Sequence, residues 1–508
     1  MTDVPAPTGR RVCMFVYNNC ASDPRVLKEA SSLTSAGYEV TVVAVLDKHT
    51  VPSEERDGTR IVRINRDPLH YKARRASHQI RRHGRMSRGR FRRQRRRLVK
   101  RARTGARAVR GRAKRLRRTF THPSQPRLLR LGALLLGGLT SGAGFVALHG
   151  WRVARRRVAG SYRRAPSDGA PSWLRAGATT LDRDLSSVTY RTMMKFHKPL
   201  LYFDWYYRSA KLVKEERFDT FHAHDLNTLP VATFLARRSG ARLVYDAHEL
   251  YPEVSTLSRR EAGIWRRVES LLIKRPDHII TVGQSIAEEF VRRYGVPQPR
   301  VLLNCPAATP IANRPTGHPL RERAGLLADS RPIVLYQGGF APHRGLEQLV
   351  DAARELRHAS LVLMGWGLLE EQLRDRIASA GLEGTVRLIP PARREELLAL
   401  TADADVGVIP YRPVGLNNTF TTPNKLFEYI RAGVAIAASR LPELVRFVEE
   451  PRLGATFNPD DPADIARVLN HLTEDPDRLA AIRRRTVAAR DQFVWEREAE
   501  VLLAVYES

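Results

Sequence analysis

Short apolar runs alternate along this chain with longer stretches in which apolar positions recur at helical spacing, the pattern of a parallel α/β sheet. Residues 12–17 read as a buried strand bounded by Asn18 and Asn19. Asp23 then opens a helix, with Pro24 in its first turn, Val26, Leu27, Ala30, Leu33 and Thr34 on one face, and Gly37 beyond its end. Further strands are predicted at 40–46 and 61–64. The alternation stops at Pro68 and resumes after about residue 195, with strands at 220–223, 243–245, 279–282 and 301–303 and helices at 226–238, 265–273 and 284–294. A Pro-rich polar stretch at 306–319 reads as a linker. A second alternation follows, with strands at 333–336, 361–363, 386–389, 406–409 and 435–438, and helices at 346–356, 368–380, 397–401 and 425–432. A helical tail is expected over 462–508.

The expected fold is therefore α/β, with two doubly wound Rossmann-like units that face a cleft. Residues 1–67 and 196–310 are expected to form the first unit and 311–485 the second. A long insertion takes up 68–195, and 486–508 is read as a terminal helix that packs back on the amino domain.

Charge separates the insertion from the rest. The formal charge is +33, yet residues 68–167 hold 31 Lys or Arg and no Asp or Glu, which leaves the rest of the chain near neutrality. Within 72–118 there are 23 cations in 47 positions, interleaved with Ala, Gly and Ser. Self-repulsion favours an arm that orders on a polyanion. Phe91 is its one aromatic residue, so a base-stacking surface is not expected, and no specific nucleic acid is expected as a partner. The adjacent stretch 131–148 carries no charge over 18 residues and has arginines on both flanks. Three readings are open: an interfacial segment on an anionic membrane surface, a transmembrane helix, or a packed insertion. Cys13, Cys20 and Cys305 show neither disulfide nor zinc spacing. Met1 to Arg10 lack an apolar signal core. The expected place is the cytoplasm, peripheral to the inner face of the membrane.

Two stretches carry chemistry. In Tyr336-Gln337-Gly338-Gly339-Phe340-Ala341-Pro342-His343-Arg344-Gly345-Leu346 a strand ends in two glycines, and a basic residue precedes a helix. That suits a diphosphate: the backbone can approach closely, and Arg344 offers a planar cationic fork. In Pro423-Asn424-Lys425-Leu426-Phe427-Glu428-Tyr429 a carboxylate lies about one and a half turns inside a helix, where it can accept hydrogen bonds from two ribose hydroxyls. A plain strand–turn–helix and a solvated glutamate are the bland alternatives.

With LVLMGWG, ADADVGVIPY and PNKLFEYIRAG, residues 332–460 resemble the donor domain of the retaining GT-B glycosyltransferases of family 4 (GT4). The amino half is similar to one branch of that family through DPRVLKEA at 23–30, GYEVT at 37–41, HAHD at 222–225 and YDAHEL at 245–250. The resemblance covers about 400 of the 508 residues. It implies transfer of a sugar from a nucleotide-sugar donor to a glycan or lipid-linked acceptor of the cell envelope, with no cofactor and no metal. It also implies roles. Glu428 would hold the ribose, Arg344 the diphosphate, and His224 the transferred sugar. Main chain at Gly338, Gly339, Asn424 and Lys425 would touch phosphate, and Gly365 and Ile389 would flank the base. Thr421, Asp225 and His248 complete the expected binding positions.

Two departures from the family pattern stand out. The second glutamate, eight residues before the ribose glutamate, is replaced by Phe420, and the other phosphate arginine by Gly339. Lys425 is expected to supply the missing charge. Asp403-Ala404-Asp405 spells a metal-binding DxD but reads better as capping or turn chemistry. A nucleic-acid-binding protein that uses the Arg-rich arm and a catalytically silent GT-B scaffold are the competing functions.

Overall fold

The computed structural model describes residues 9–66, 197–308 and 317–508. The readings for the 68–195 insertion, including 131–148, lie outside these residues. Two compact units are present: Met1–Arg63 with Val213–Ser508, and Ile64–Leu212. The described part of the second contains most of the helix His197–Val213. Among the described residues no helix is long and apolar enough to cross a membrane.

The amino half is built on a sheet of order β3-β4-β2-β1-β5-β6-β7-β8. Its strands are β1 (Arg11–Phe15), β2 (Glu39–Leu46), β3 (Ser53–Arg56), β4 (Thr59–Asn65), β5 (Thr220–His224), β6 (Arg242–Ala247), β7 (His278–Thr281) and β8 (Arg300–Val301). β3, which the apolar pattern does not predict, is a polar edge strand antiparallel to β4. The carboxy half has order β11-β10-β9-β12-β13-β14. Its strands are β9 (Ile333–Gly339), β10 (Ser360–Trp366), β11 (Val386–Ile389), β12 (Val406–Ile409), β13 (Ala435–Ser439) and β14 (Gly454–Phe457). Every pairing in it is parallel, and the chain order reverses between β9 and β12. In such sheets ligands bind beyond the carboxyl ends of the strands at that reversal. The corresponding point in the amino half lies between β1 and β5.

The expected helix at Asp23 spans Pro24–Ser35, and Asp23 Oδ1 accepts from the Val26 amide at 3.2 Å. Its buried face differs from the apolar pattern, because Arg25 and Glu29 lie inward with Val26, Ala30 and Leu33. The terminal helix Trp495–Glu507 packs into the amino-half core, where Trp495, Leu502, Val505 and Tyr506 join Val12, Met14, Val26 and Leu33.

In the carboxy half the helix Asn424–Ala432 sits tightly on the sheet. A Cβ at Gly407 would lie 2.4 Å from the Tyr429 ring, so the glycine lets Tyr429 cross β12. The Tyr429 hydroxyl donates to the Leu335 carbonyl at 2.9 Å. The helix is thereby fixed against β9, and Lys425 and Glu428, three residues apart, share its site-facing side. The DxD carboxylates bind main chain. Asp403 accepts from the Leu320 and Arg321 amides at the start of the helix Pro319–Arg323, and Asp405 accepts from the Ile333 amide and from Arg483.

Candidate active site

The glycines at the end of β9 are required by geometry. Gly338 has φ +124°, and a Cβ on Gly365 would lie 2.0 Å from the Gly338 carbonyl oxygen. The loop that follows holds His343 at φ +67°, a strained position for a non-glycine residue, and presents the half-buried Arg344.

Arg344 lies with Cζ 4.1 Å from the centroid of the Tyr411 ring. Lys425 Nζ is 3.6 Å from the Tyr336 centroid and 5.2 Å from that of Tyr411. The ammonium is buried and has no hydrogen-bond partner among the described residues. Burial, with the Arg344 charge beside it, holds the Lys425 amine well below its ordinary range. A Cβ on Gly338 would meet Nζ at 3.3 Å, so this cation lies at the glycine strand end. Glu428 is held by Gln337, whose amide donates to Oε2 at 2.5 Å and accepts from the Thr401 hydroxyl at 2.7 Å. Burial raises the Glu428 carboxyl. Asn424 is exposed and its side-chain oxygen accepts from Asn304 at 3.0 Å. Thr421 is half-buried in the preceding loop, whose Thr422 hydroxyl donates to the Val282 carbonyl at 2.8 Å.

Ile389, expected to flank the base, has its side chain buried in the hydrophobic core with Met364 and Leu400, which leaves main chain at the end of β11 for that role.

On the amino side the ends of β5 and β6 bring three histidines and two aspartates together. Asp246 takes a two-point fork from Arg25, at 2.7 and 2.8 Å. It also lies 2.9 Å from His248 Nε2 and 3.4 Å from His224 Nδ1. Burial opposes its charge, but Arg25 and His248 hold the Asp246 carboxyl far below the usual range. Glu29, 3.0 Å from Arg25, is pushed well up by burial and by Asp246. His248 is cationic: burial opposes its charge, but Asp225 and Asp246 raise it to about 10. Burial and that neighbouring charge lower His224. His224 Nε2 is buried without a partner among the described residues, and its ring stacks on His222 with centroids 4.4 Å apart. Asp225, at φ +63°, accepts from the His248 amide at 3.1 Å. The helix beyond it starts only at Leu229, so Asp225 does not cap it.

Glu29, His222, His224 and Asp246 bring possible metal-ligating atoms within 4.8 Å of one another. The Arg25 guanidinium already occupies both of these carboxylates, and a metal dication would meet its charge. A recess of about 350 Å³ lined by residues between 273 and 300 opens at the amino end of β7, the wrong end of the strands for this chemistry.

The two halves touch along this line. Glu443 accepts from the Ser285 amide and hydroxyl at 2.6 and 2.5 Å, and Asn417 accepts from the Leu250 amide at 2.8 Å.

Comparison with known proteins places the chain in a family. The model of Glycosyltransferase Family 4 matches residues 157–305, and that of Glycosyl transferases group 1 matches residues 331–475. The chain is a family 4 glycosyltransferase. The D-inositol 3-phosphate glycosyltransferase of Thermobispora bispora is 28% identical over 318 residues, 59% of this chain and 72% of the relative. The glycogen synthase of Mycobacterium tuberculosis is 28% identical over 316 residues, 57% and 69% of the two chains. Among solved structures, sucrose-phosphate synthase from Thermosynechococcus elongatus has a TM-score of 0.58 at 16% identity, with 98% of each chain covered. Anabaena HepE, solved with UDP, has a TM-score of 0.59 at 14% identity, with 98% of this chain and 99% of that one covered. These structures speak for the GT-B fold.

In this glycosyltransferase, Arg344, Lys425 and Glu428 gather at the end of β9, while His224, Asp225 and His248 gather at the ends of β5 and β6. Sequence reasoning missed Gln337, Tyr336 and Tyr411, which surround the carboxy-half groups, and Arg25 and Asp246, which hold the histidines. Arg25 and Asp246 were in view inside quoted motifs; their roles depend on contacts more than 200 residues apart in the chain.

Proposed function

We propose that the chain transfers a sugar from a nucleoside-diphosphate donor, with retention, to a cell-envelope glycan or lipid-linked acceptor at the cytoplasmic membrane face. The supporting observation is a pair of cations at the glycine strand end: Arg344, and the buried Lys425, whose ammonium has no hydrogen-bond partner among the described residues. A desolvated cation without an anion is costly, and a diphosphate would supply that anion. As the donor bond breaks, negative charge grows on the leaving phosphate, and these cations oppose it. Gln337 turns Glu428 to accept from ribose hydroxyls. The neutral His224, its Nδ1–H directed at Asp246, leaves Nε2 to accept from a sugar hydroxyl. Both named relatives are glycosyl-transferring enzymes, and HepE was solved with UDP, which fits a nucleotide donor.

The test is a melting-point panel of UDP-, GDP-, ADP- and CMP-sugars. One of them is expected to raise the melting point, because a ligand bound only by the native state stabilises it. Glu428→Ala is expected to abolish that rise. A flat panel would overturn the donor reading.

The 31 cations of 68–167 support attraction to an anionic membrane surface, at about 1 kcal/mol per residue near the headgroups. Deletion of 68–167 is expected to move the protein from sedimenting phosphatidylglycerol vesicles to the supernatant. Unchanged co-sedimentation would remove the membrane part of the proposal.

A further inference from the structure

The loop that carries Phe420 reaches the amino half through a side-chain clasp. Residues Leu416–Thr419 form one helical turn, which the Phe420 amide closes by donating to the Leu416 carbonyl at 2.8 Å. Phenylalanine there can accept nothing from a sugar hydroxyl. Three residues earlier, the Asn417 amide grips Leu250 at two points, accepting from its N–H at 2.8 Å and donating to its C=O at 3.1 Å. The same Nδ2 lies 3.5 Å from Glu249 Oε2. The loop whose family pattern would carry a glutamate therefore holds a glutamate that comes from the other half of the molecule.

We propose that Glu249 is a specificity-determining residue that orients a hydroxyl of the transferred sugar, in place of the glutamate missing at Phe420. The inference rests on the nucleotide-sugar reading above. Glu249 follows His248 directly and stands on the same β6 exit as the group around His224. It is half-buried, and no Lys or Arg forms an ion pair with it among the described residues. A carboxylate so placed keeps lone pairs for hydroxyl donors and, being desolvated, binds them more strongly than one in water. Burial, with Asp225 nearby, raises Glu249 to about 7 against the opposing charge of His248. Asn417 sets the segment's position through the Leu250 main chain, so sugar selection depends on both halves at once.

The experiment compares two affinities in the full-length protein: that of the nucleotide-sugar giving the largest melting shift, and that of its parent nucleoside diphosphate. Glu249→Gln is expected to weaken the nucleotide-sugar at least tenfold and to leave the nucleoside diphosphate within about twofold. Adding Phe420→Glu to that variant is expected to restore part of the lost affinity. Equal nucleotide-sugar affinity in wild type and Glu249→Gln would overturn the inference while leaving the donor reading intact. Parallel loss of both ligands would overturn it too, because that is the signature of a structural role. A wild-type protein that binds no nucleoside diphosphate would sink the donor reading and this inference with it.

Discussion

Arg25→Met is expected to lower the stability of the amino half by about 3–5 kcal/mol, the usual cost of removing one partner from a buried ion pair. The guanidinium donates to both Asp246 oxygens and to the Leu302 carbonyl at 2.8 Å, and it lies 3.0 Å from Glu29. Removing it leaves Asp246 charged in a fully buried position, facing a Glu29 that depends on the same cation. The readout is the thermal transition of the variant, expected about 4–7 °C below wild type for a compact unit of this size. A shift within a degree or two would show that the network is not what holds the ends of β5 and β6. Arg25→Met with Asp246→Leu is expected to recover much of the stability, since an apolar pair can replace a buried ion pair at little cost. Activity is not expected to return, because Asp246 also sets the positions of His224 and His248. This split between stability and activity separates a scaffold role from a positioning role.

That network marks the limit of what the sequence discloses. The strands are legible because buried parallel strands are short apolar runs. Those at 12–17, 333–336 and 406–409 overlap β1, β9 and β12. β3 escapes because Ser53-Glu54-Glu55-Arg56 is polar on both faces, as an edge strand tolerates. The Pro24–Ser35 helix shows a related failure: the apolar rule puts Arg25 and Glu29 in solvent, yet each is buried against a partner supplied by β6 or by the helix itself. In the carboxy half, local spacing suffices to bring Lys425 and Glu428 onto one helix face. What makes Lys425 unusual is not local. Tyr336 within β9 and Tyr411 just beyond β12 lie against its ammonium, and Gln337 reaches Glu428 across 91 positions. Ile389 is the converse case: its strand is legible as an apolar run, and that same apolar character turns the side chain into the core.

Donor affinity is expected to fall as pH rises, and Lys425 is expected to be the cause. In the free protein, burial and Arg344 hold the amine well below 10.5, so it sheds its proton at a lower pH than an exposed lysine. A diphosphate beside it favours the charged form and raises the pKa. Between the free and bound values, binding takes up a proton. The association constant then falls by as much as tenfold for each pH unit and levels off outside that window. A nucleotide-sugar is the right probe, since its esterified phosphates carry no proton that titrates near neutrality. Calorimetry in buffers of different ionisation enthalpy is expected to report uptake of up to one proton. Arg344 contributes none, because its guanidinium stays charged throughout. Lys28, lowered to about 8 chiefly by burial, is a second buried amine but donates to the Cys305 carbonyl at 2.6 Å. The variant distinguishes the two. Lys425→Met is expected to abolish the proton uptake and flatten the pH profile. It is also expected to weaken the donor about 10- to 100-fold at low pH, the loss of one charge-assisted hydrogen bond of about 1.5–3 kcal/mol. If the variant keeps the wild-type slope, Lys425 does not meet the donor phosphates, and Arg344 must carry the leaving charge alone.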